Sequence, residues 1–272
     1  MTILHRLFPA LLLTLCWLPT GFSAAQIEQE AVPLNEVTVT ILYDNTTAVD
    51  NVQADWGFAC LVEGLEQTIL FDTGTKSEIL LHNADVLGKD LEQVDVLVLS
   101  HDHRDHTGAL AEVLGRNPGI NVYFPESFPA TYDPIIHSHD AIPVRVSQAR
   151  EIFEGAALTG QMGDRIKEQS LILETNRGLV IITGCSHQGI VKILKQAAKV
   201  HKQDIYLVFG GFHLLRHTDA QVNDIIEQFK ALGVSKCGAT HCTGDGAMTL
   251  FREAYGENFM PMGVGRVVRI PD

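Results

Sequence analysis

Ser100-His101-Asp102-His103-Arg104-Asp105-His106-Thr107-Gly108 crowds three imidazoles and two carboxylates into one short segment. It follows directly on the run Val94-Asp95-Val96-Leu97-Val98-Leu99. That run is short, β-branched and bounded by polar residues, so it reads as a buried strand that delivers the cluster to a sheet edge. Beyond it, Ala109 to Leu114 has the pattern of a helix ending near Gly115 and Pro118. Imidazole and carboxylate donors presented from so stiff a base suit zinc, with iron or manganese as further candidates. A strand, a turn and a helix around a metal site place the chain in the α/β class.

Further blocks extend this pattern outward. Upstream stands Thr68-Ile69-Leu70-Phe71-Asp72-Thr73-Gly74. Downstream come Thr183-Gly184-Cys185-Ser186-His187-Gln188-Gly189, then Phe209-Gly210-Gly211-Phe212-His213-Leu214, then Thr240-His241-Cys242-Thr243-Gly244. The central cluster resembles the H-x-H-x-D-H signature of the metallo-β-lactamase fold, and the outer blocks follow in the order of that family. Together with Asp44-Asn45, Trp56-Gly57-Phe58 and Gly263-Val264-Gly265, they resemble the branch typified by archaeal dihydropterin ribofuranosylaminobenzene phosphate synthase. The resemblance runs from about Val37 to Val268. It implies a four-layer αββα sandwich, a single domain, with the site at one edge of two sheets.

It also implies a ligand set. His101 and His103 match the first two histidines of the signature and, with His187, would hold a first metal. Asp105 and His106, with His241, would hold a second, and Asp105 would also serve catalysis. Asp102 and Arg104 would point away and support the loop. One position departs from the pattern: many relatives place a metal-bridging aspartate after the Thr-Gly strand end, where this chain has Cys185. Either Cys185 is a thiolate ligand or it packs beneath the loop. His213 follows Gly210-Gly211, where the backbone can approach a ligand closely, and is expected on the substrate side as a catalytic residue. His137 and His139 read as surface residues, and His82, His201 and His217 lie in contexts without site chemistry.

The N-terminus carries one basic residue, Arg6, then the apolar stretch Leu7 to Leu18, then small residues at Ser23, Ala24 and Ala25, as in a secretory signal peptide. Its apolar core is interrupted by Pro9 and Pro19 and falls short of the roughly 20 residues of a membrane span. Residues 1–25 are therefore expected to be removed, leaving residues 26–272 as one metallo-β-lactamase-like domain, periplasmic or secreted, without stable membrane insertion. The formal net charge of -13 disfavours nucleic acid and anionic membranes as partners and leaves a small-molecule substrate. Beyond the leader, Cys60, Cys185, Cys237 and Cys242 permit disulfides without requiring them.

Strand candidates recur at Val37 to Leu42, Thr68 to Phe71, Val94 to Leu99, Ile120 to Phe124, Ser170 to Leu173, Leu179 to Thr183, Ile205 to Phe209, Lys236 to Thr240 and Arg266 to Ile270. Helical patterns lie between, among them Ile190 to Val200 and Ala220 to Leu232, the latter preceded by Thr218 and Asp219 as caps. The stretch Phe124 to Arg150, punctuated by Pro125, Pro129, Pro134 and Pro143, reads as a long loop over or beside the site. A bound metal that activates water makes hydrolysis the default reaction. The expectation is an exported zinc-dependent hydrolase, with one or two ions, acting on a small anionic or ester-type metabolite. A dihydropterin synthase-like transferase is the alternative, and a metal-bound ligand-binding protein without turnover is the alternative from another class.

Overall fold

The computed structural model describes residues 36–270, and the expected leader lies outside them. Among the described residues, strands form two sheets. The first runs in the order β13 (Val267–Ile270), β1 (Val37–Tyr43), β2 (Ala59–Glu63), β3 (Ile69–Phe71), β4 (Val96–Val98), β5 (Asn121–Pro125) and β6 (Ile142–Val146). The second runs β12 (Lys236–Thr240), β11 (Ile205–Gly211), β10 (Gly178–Thr183), β9 (Leu171–Thr175), β8 (Ala156–Leu158) and β7 (Arg150–Phe153). Helices α1 (Ser77–Val86), α2 (Arg104–Thr107), α3 (Leu110–Arg116) and α4 (Tyr132–His137) belong to the first half of the chain. Helices α5 (Ile190–His201), α6 (Asp219–Ala231) and α7 (Asp245–Tyr255) belong to the second.

Side chains alternate across a strand, and here both faces of each sheet are apolar. Val39, Ile41, Phe71 and Val98 of the first sheet meet Leu173, Val180, Ile182 and Phe209 of the second in one central core. On the opposite face of the first sheet, Leu61, Leu70 and Leu97 pack on Leu80, Val113, Leu114 and Ile136. On that of the second, Ile172, Ile181 and Val208 pack on Ile193, Leu194, Val222, Phe229 and Phe251. Three apolar interfaces among four layers make the αββα sandwich. No described helix is long and apolar enough to cross a membrane.

The two sheets share a device that matters for the site. β3, β4 and β5 run parallel in the first, as do β10, β11 and β12 in the second. The carboxyl ends of β3, β4, β10, β11 and β12 lead into the motif blocks, the usual location of ligands in open α/β sheets.

The region from Phe124 to Arg150 corrects the sequence expectation: it is not a long loop but the end of β5, helix α4 and strand β6. Pro143 is compatible with β6 because that strand is the sheet edge, where a missing amide costs no ladder bond. Pro134 sits in the first turn of α4, where intrahelical amides are unpaired anyway. Strands β2, β7 and β8 are likewise absent from the sequence reading. In α6 the cap is Thr218, with a reciprocal capping box to Gln221, while Asp219 is the first helical residue.

Candidate metal centre

The site begins with β3. Its strand ends at buried Asp72, whose φ of 58° lies in the left-handed region. From there Oδ1 accepts the Ser100 amide at 2.7 Å, and Oδ2 accepts both Ser100 Oγ and His106 Nδ1 at 2.7 Å. Asp72 thus ties the end of β4 to the turn that follows. Helix α2 is that turn. It puts Asp105 and His106 on a single helical turn, whereas His101 and His103 lie on the extended approach and Asp102 and Arg104 are exposed.

Three side-chain groups converge. The ring nitrogens of His101, His103 and His187 form one, with donor atoms all within 4.8 Å of one another. Asp105, His106, Cys185 and His241 form the second. Cys185 Sγ lies 3.3 Å from His106 Nε2 and 3.4 Å from His241 Nε2, and Asp105 Oδ2 lies 3.6 Å and 3.4 Å from the same two nitrogens. Cys185, His187 and His213 form a third. Cys185 thus belongs to the second and third groups, and its sulfur lies against His106 and His241.

Each of four histidines spends its Nδ1 on a support. His101 Nδ1 meets Ser100 Oγ at 2.9 Å, His106 Nδ1 meets Asp72, His187 Nδ1 meets Glu168 Oε2 at 3.0 Å, and His241 Nδ1 meets Asn45 Oδ1 at 3.1 Å. This leaves every Nε2 turned toward the common space, the arrangement that orients imidazoles for a cation. His101 Nε2 is buried and has no hydrogen-bond partner among the described residues. Burial holds His101 well below the ordinary histidine range and brings His106 down to about 3, so both rings keep the lone pair that binds a cation. An orphaned buried nitrogen among imidazoles, a thiol and a carboxylate fits zinc or a comparable divalent ion.

Glu168 is the supporting residue that sequence reasoning missed. It is fully buried, and it accepts the amides of Cys185 and Ser186 at 2.8 Å and of His187 at 2.9 Å besides the His187 ring. Burial alone would raise its pKa, but the hydrogen bonds from the His187 ring and the Ser186 amide hold the carboxyl well below its usual range. Nothing local marks it in Lys167-Glu168-Gln169-Ser170. Asn45 and Trp56 were visible as branch markers without roles. Asn45 seats His241, and Trp56 donates Nε1 to Asp105 Oδ2 at 2.8 Å with its ring 5.0 Å from His241.

His213 is exposed at the mouth, its ring 4.4 Å from His187. Hydrogen bonding with Cys242 raises its pKa and outweighs its partial burial. Ser186, His213 and His241, like Asp72, hold positive φ values of 65°, 56° and 51°. Left-handed backbone at non-glycine residues is costly, and its concentration here is the pattern of a functional site. His82, His137, His139, His201 and His217 belong to none of the donor groups among the described residues.

The profile of the metallo-β-lactamase superfamily matches residues 57–135. A curated relative, the 7,8-dihydropterin-6-methyl-4-(beta-D-ribofuranosyl)-aminobenzene-5'-phosphate synthase of Methanocaldococcus jannaschii, is 28% identical over 262 residues, covering 78% of this chain and 89% of its own. An uncharacterised protein of the same organism is 28% identical over 265 residues, covering 85% of this chain and 100% of its own. Among solved structures, a metal-dependent hydrolase of the β-lactamase superfamily superposes with a TM-score of 0.73 at 28% identity, over 87% of this chain and 100% of its own. The metallo-β-lactamase fold protein YhfI of Bacillus subtilis, at 12% identity and a TM-score of 0.64 over 85% of this chain and 99% of its own, shares the fold. With two sheets between helical layers and donor groups at the carboxyl ends of parallel strands, this chain has the metallo-β-lactamase fold.

Proposed function

We propose that this chain is an exported metal-dependent hydrolase, with zinc as its resident metal, acting on a small anionic or ester-type metabolite. The observation that carries the reading is the orphaned, buried Nε2 of His101 at the centre of donors whose other nitrogens are already committed. His101, His103 and His187 would hold one ion; Asp105, His106, Cys185 and His241 would hold the other. The chemistry supplied by divalent ions bound there is a water pKa lowered toward roughly 7 and opposition to negative charge developing on a carbonyl or phosphoryl oxygen.

The residues of the chain contribute the rest. Trp56 and the two imidazoles fix Asp105, which stays ionised against the upward push of its partial burial and can accept a proton. His213, at the mouth and not tied to a backbone support, can deliver a proton to a leaving group. The acidic surface repels polyanions, and the leader-like residues Leu7 to Ala25 support placement outside the cytoplasm.

A transferase related to the dihydropterin synthase of Methanocaldococcus jannaschii is the second reading, favoured by that relative's 28% identity across 78% of this chain. Metal analysis of the purified full chain, followed by panels of esters, lactones and phosphodiesters, tests the proposal. At least about one equivalent of zinc, iron or manganese is expected, with turnover abolished by a chelator. Less metal than that overturns it. Stoichiometric ligand retention without turnover would replace it with a binding protein, and product formed from a pterin pyrophosphate donor and an arylamine would replace it with the transferase.

A further inference from the structure

A cavity of about 440 Å³ opens beside the metal centre, with His187 and His213 at one end and the start of α5 as its floor. One wall is apolar, built from Phe212, Leu214 and Ile225. Lys192 and Lys195 also line it, and they stand three residues apart on α5 and so share a face.

The first turn of α5 offers hydrogen-bond donors that nothing among the described residues uses. In the first turn of α5, the Gly189 amide bonds Ser186 O at 2.8 Å and the Lys192 amide bonds Gly189 O at 3.0 Å, while those of Ile190 and Val191 have no acceptor among the described residues. A helix of this length also directs its positive end there. The second observation is independent of the helix. Gln188 lines the cavity with only 9% of its surface exposed, and among the described residues neither its Oε1 nor its Nε2 has a partner. A buried amide without partners is expensive to keep. An anion resting on Nε2 and the α5 amides, with Lys192 above it, would satisfy the donor side of that amide.

We infer that this cavity is the anion-binding subsite of the substrate. Gln188 Nε2, the amides of Ile190 and Val191, and Lys192 would hold a phosphate or carboxylate head, the apolar wall would take the body, and the scissile bond would reach the metal centre past His187 and His213. The inference rests on the hydrolase reading for its reaction, but the anion subsite stands on its own geometry. It narrows the substrate class to small molecules in which an anionic head is separated from the hydrolysed bond by an apolar segment.

The test titrates inorganic phosphate, and separately succinate, calorimetrically into the zinc-loaded full chain as wild type, Gln188→Leu and Lys192→Glu. Zinc content and melting midpoint are recorded for each. Gln188→Leu removes an unpartnered amide at similar volume, and Lys192 is exposed, so both variants are expected to fold. At least one of the two anions should bind about tenfold more weakly to each variant at unchanged zinc content, which also identifies the head group. Affinities for both anions equal across the three proteins would place them on the ions alone and overturn the subsite.

A second arm compares para-nitrophenyl acetate with its mono-succinate analogue. The anionic ester should show the lower KM, and Lys192→Glu should erase that preference. Turnover of both esters at one KM overturns the subsite and leaves the hydrolase intact. Phosphate binding that depends on Gln188, with no ester turned over, supports the subsite and removes the hydrolase reading.

Discussion

Cys185 carries the largest departure from the pattern that its neighbours follow. Its sulfur lies within 3.4 Å of two imidazoles and it shares a donor group with His187, so it stands between the two sets of histidines. Cys185→Ser is therefore expected to lose about one equivalent of zinc on dialysis, since a hydroxyl is a poor substitute for a thiolate, while His101, His103 and His187 keep theirs. Unchanged zinc content would show that Cys185 only packs. Glu168→Gln should weaken zinc by about 10- to 100-fold without touching it, because the variant exchanges the carboxylate that orients His187 for an amide. A competition titration against a chelator reads this directly, and an unaltered affinity would remove Glu168 from the support.

These residues show where the sequence stops being legible. His101 to His106 announce themselves because spacing along an extended segment and one helical turn fixes which way each ring faces. Glu168 has no such grammar: it reaches His187 only because the end of the second sheet brings residues 19 positions apart into contact. Asn45 serves His241 across 196 positions.

At the scale of elements, the strand ends decide the site. Gly211 shows how tight the β10 and β11 ends are, since a Cβ there would fall 2.4 Å from Gly184 O and 2.7 Å from Cys242 Sγ. Helices remote from the site answer to different physics. Thr218→Ala removes one half of the α6 capping box and should lower stability by about 1 kcal/mol in urea unfolding, with zinc content unchanged. A simultaneous loss of zinc would mean that α6 positions the centre. Strands with long β-branched runs, such as β10 and β11, are readable from sequence. β6 is not, because prolines that signal a loop are equally at home on a sheet edge.

At the scale of the molecule, Cys60, Cys185, Cys237 and Cys242 are all free and buried, so no covalent cross-link joins the described layers. A bound metal is then a principal tie. Removing it with a chelator should lower the melting midpoint, by an amount corresponding to about 4 kcal/mol if free zinc stands a thousandfold above Kd. A midpoint indifferent to zinc would show that the centre forms without stabilising the fold. The layered architecture is legible from alternating apolar runs, whereas the face-to-face pairing of the two sheets that brings their strand ends to one centre is not, because it depends on contacts between distant blocks.

The donors come from both sheets: His101 to His106 follow β4, and Cys185, His187 and His241 follow β10 and β12. His106 and Cys185 are 79 positions apart. The segment from 57 to 135 that matches the superfamily profile thus contains four of these seven donors and no complete set. Closure over such separations comes late when a chain folds. In stopped-flow refolding, zinc uptake should trail the main burial of apolar surface, and uptake in the earliest phase would contradict this. Acquisition of the ion then works as a timer, reporting the moment when one half of the sandwich has found the other.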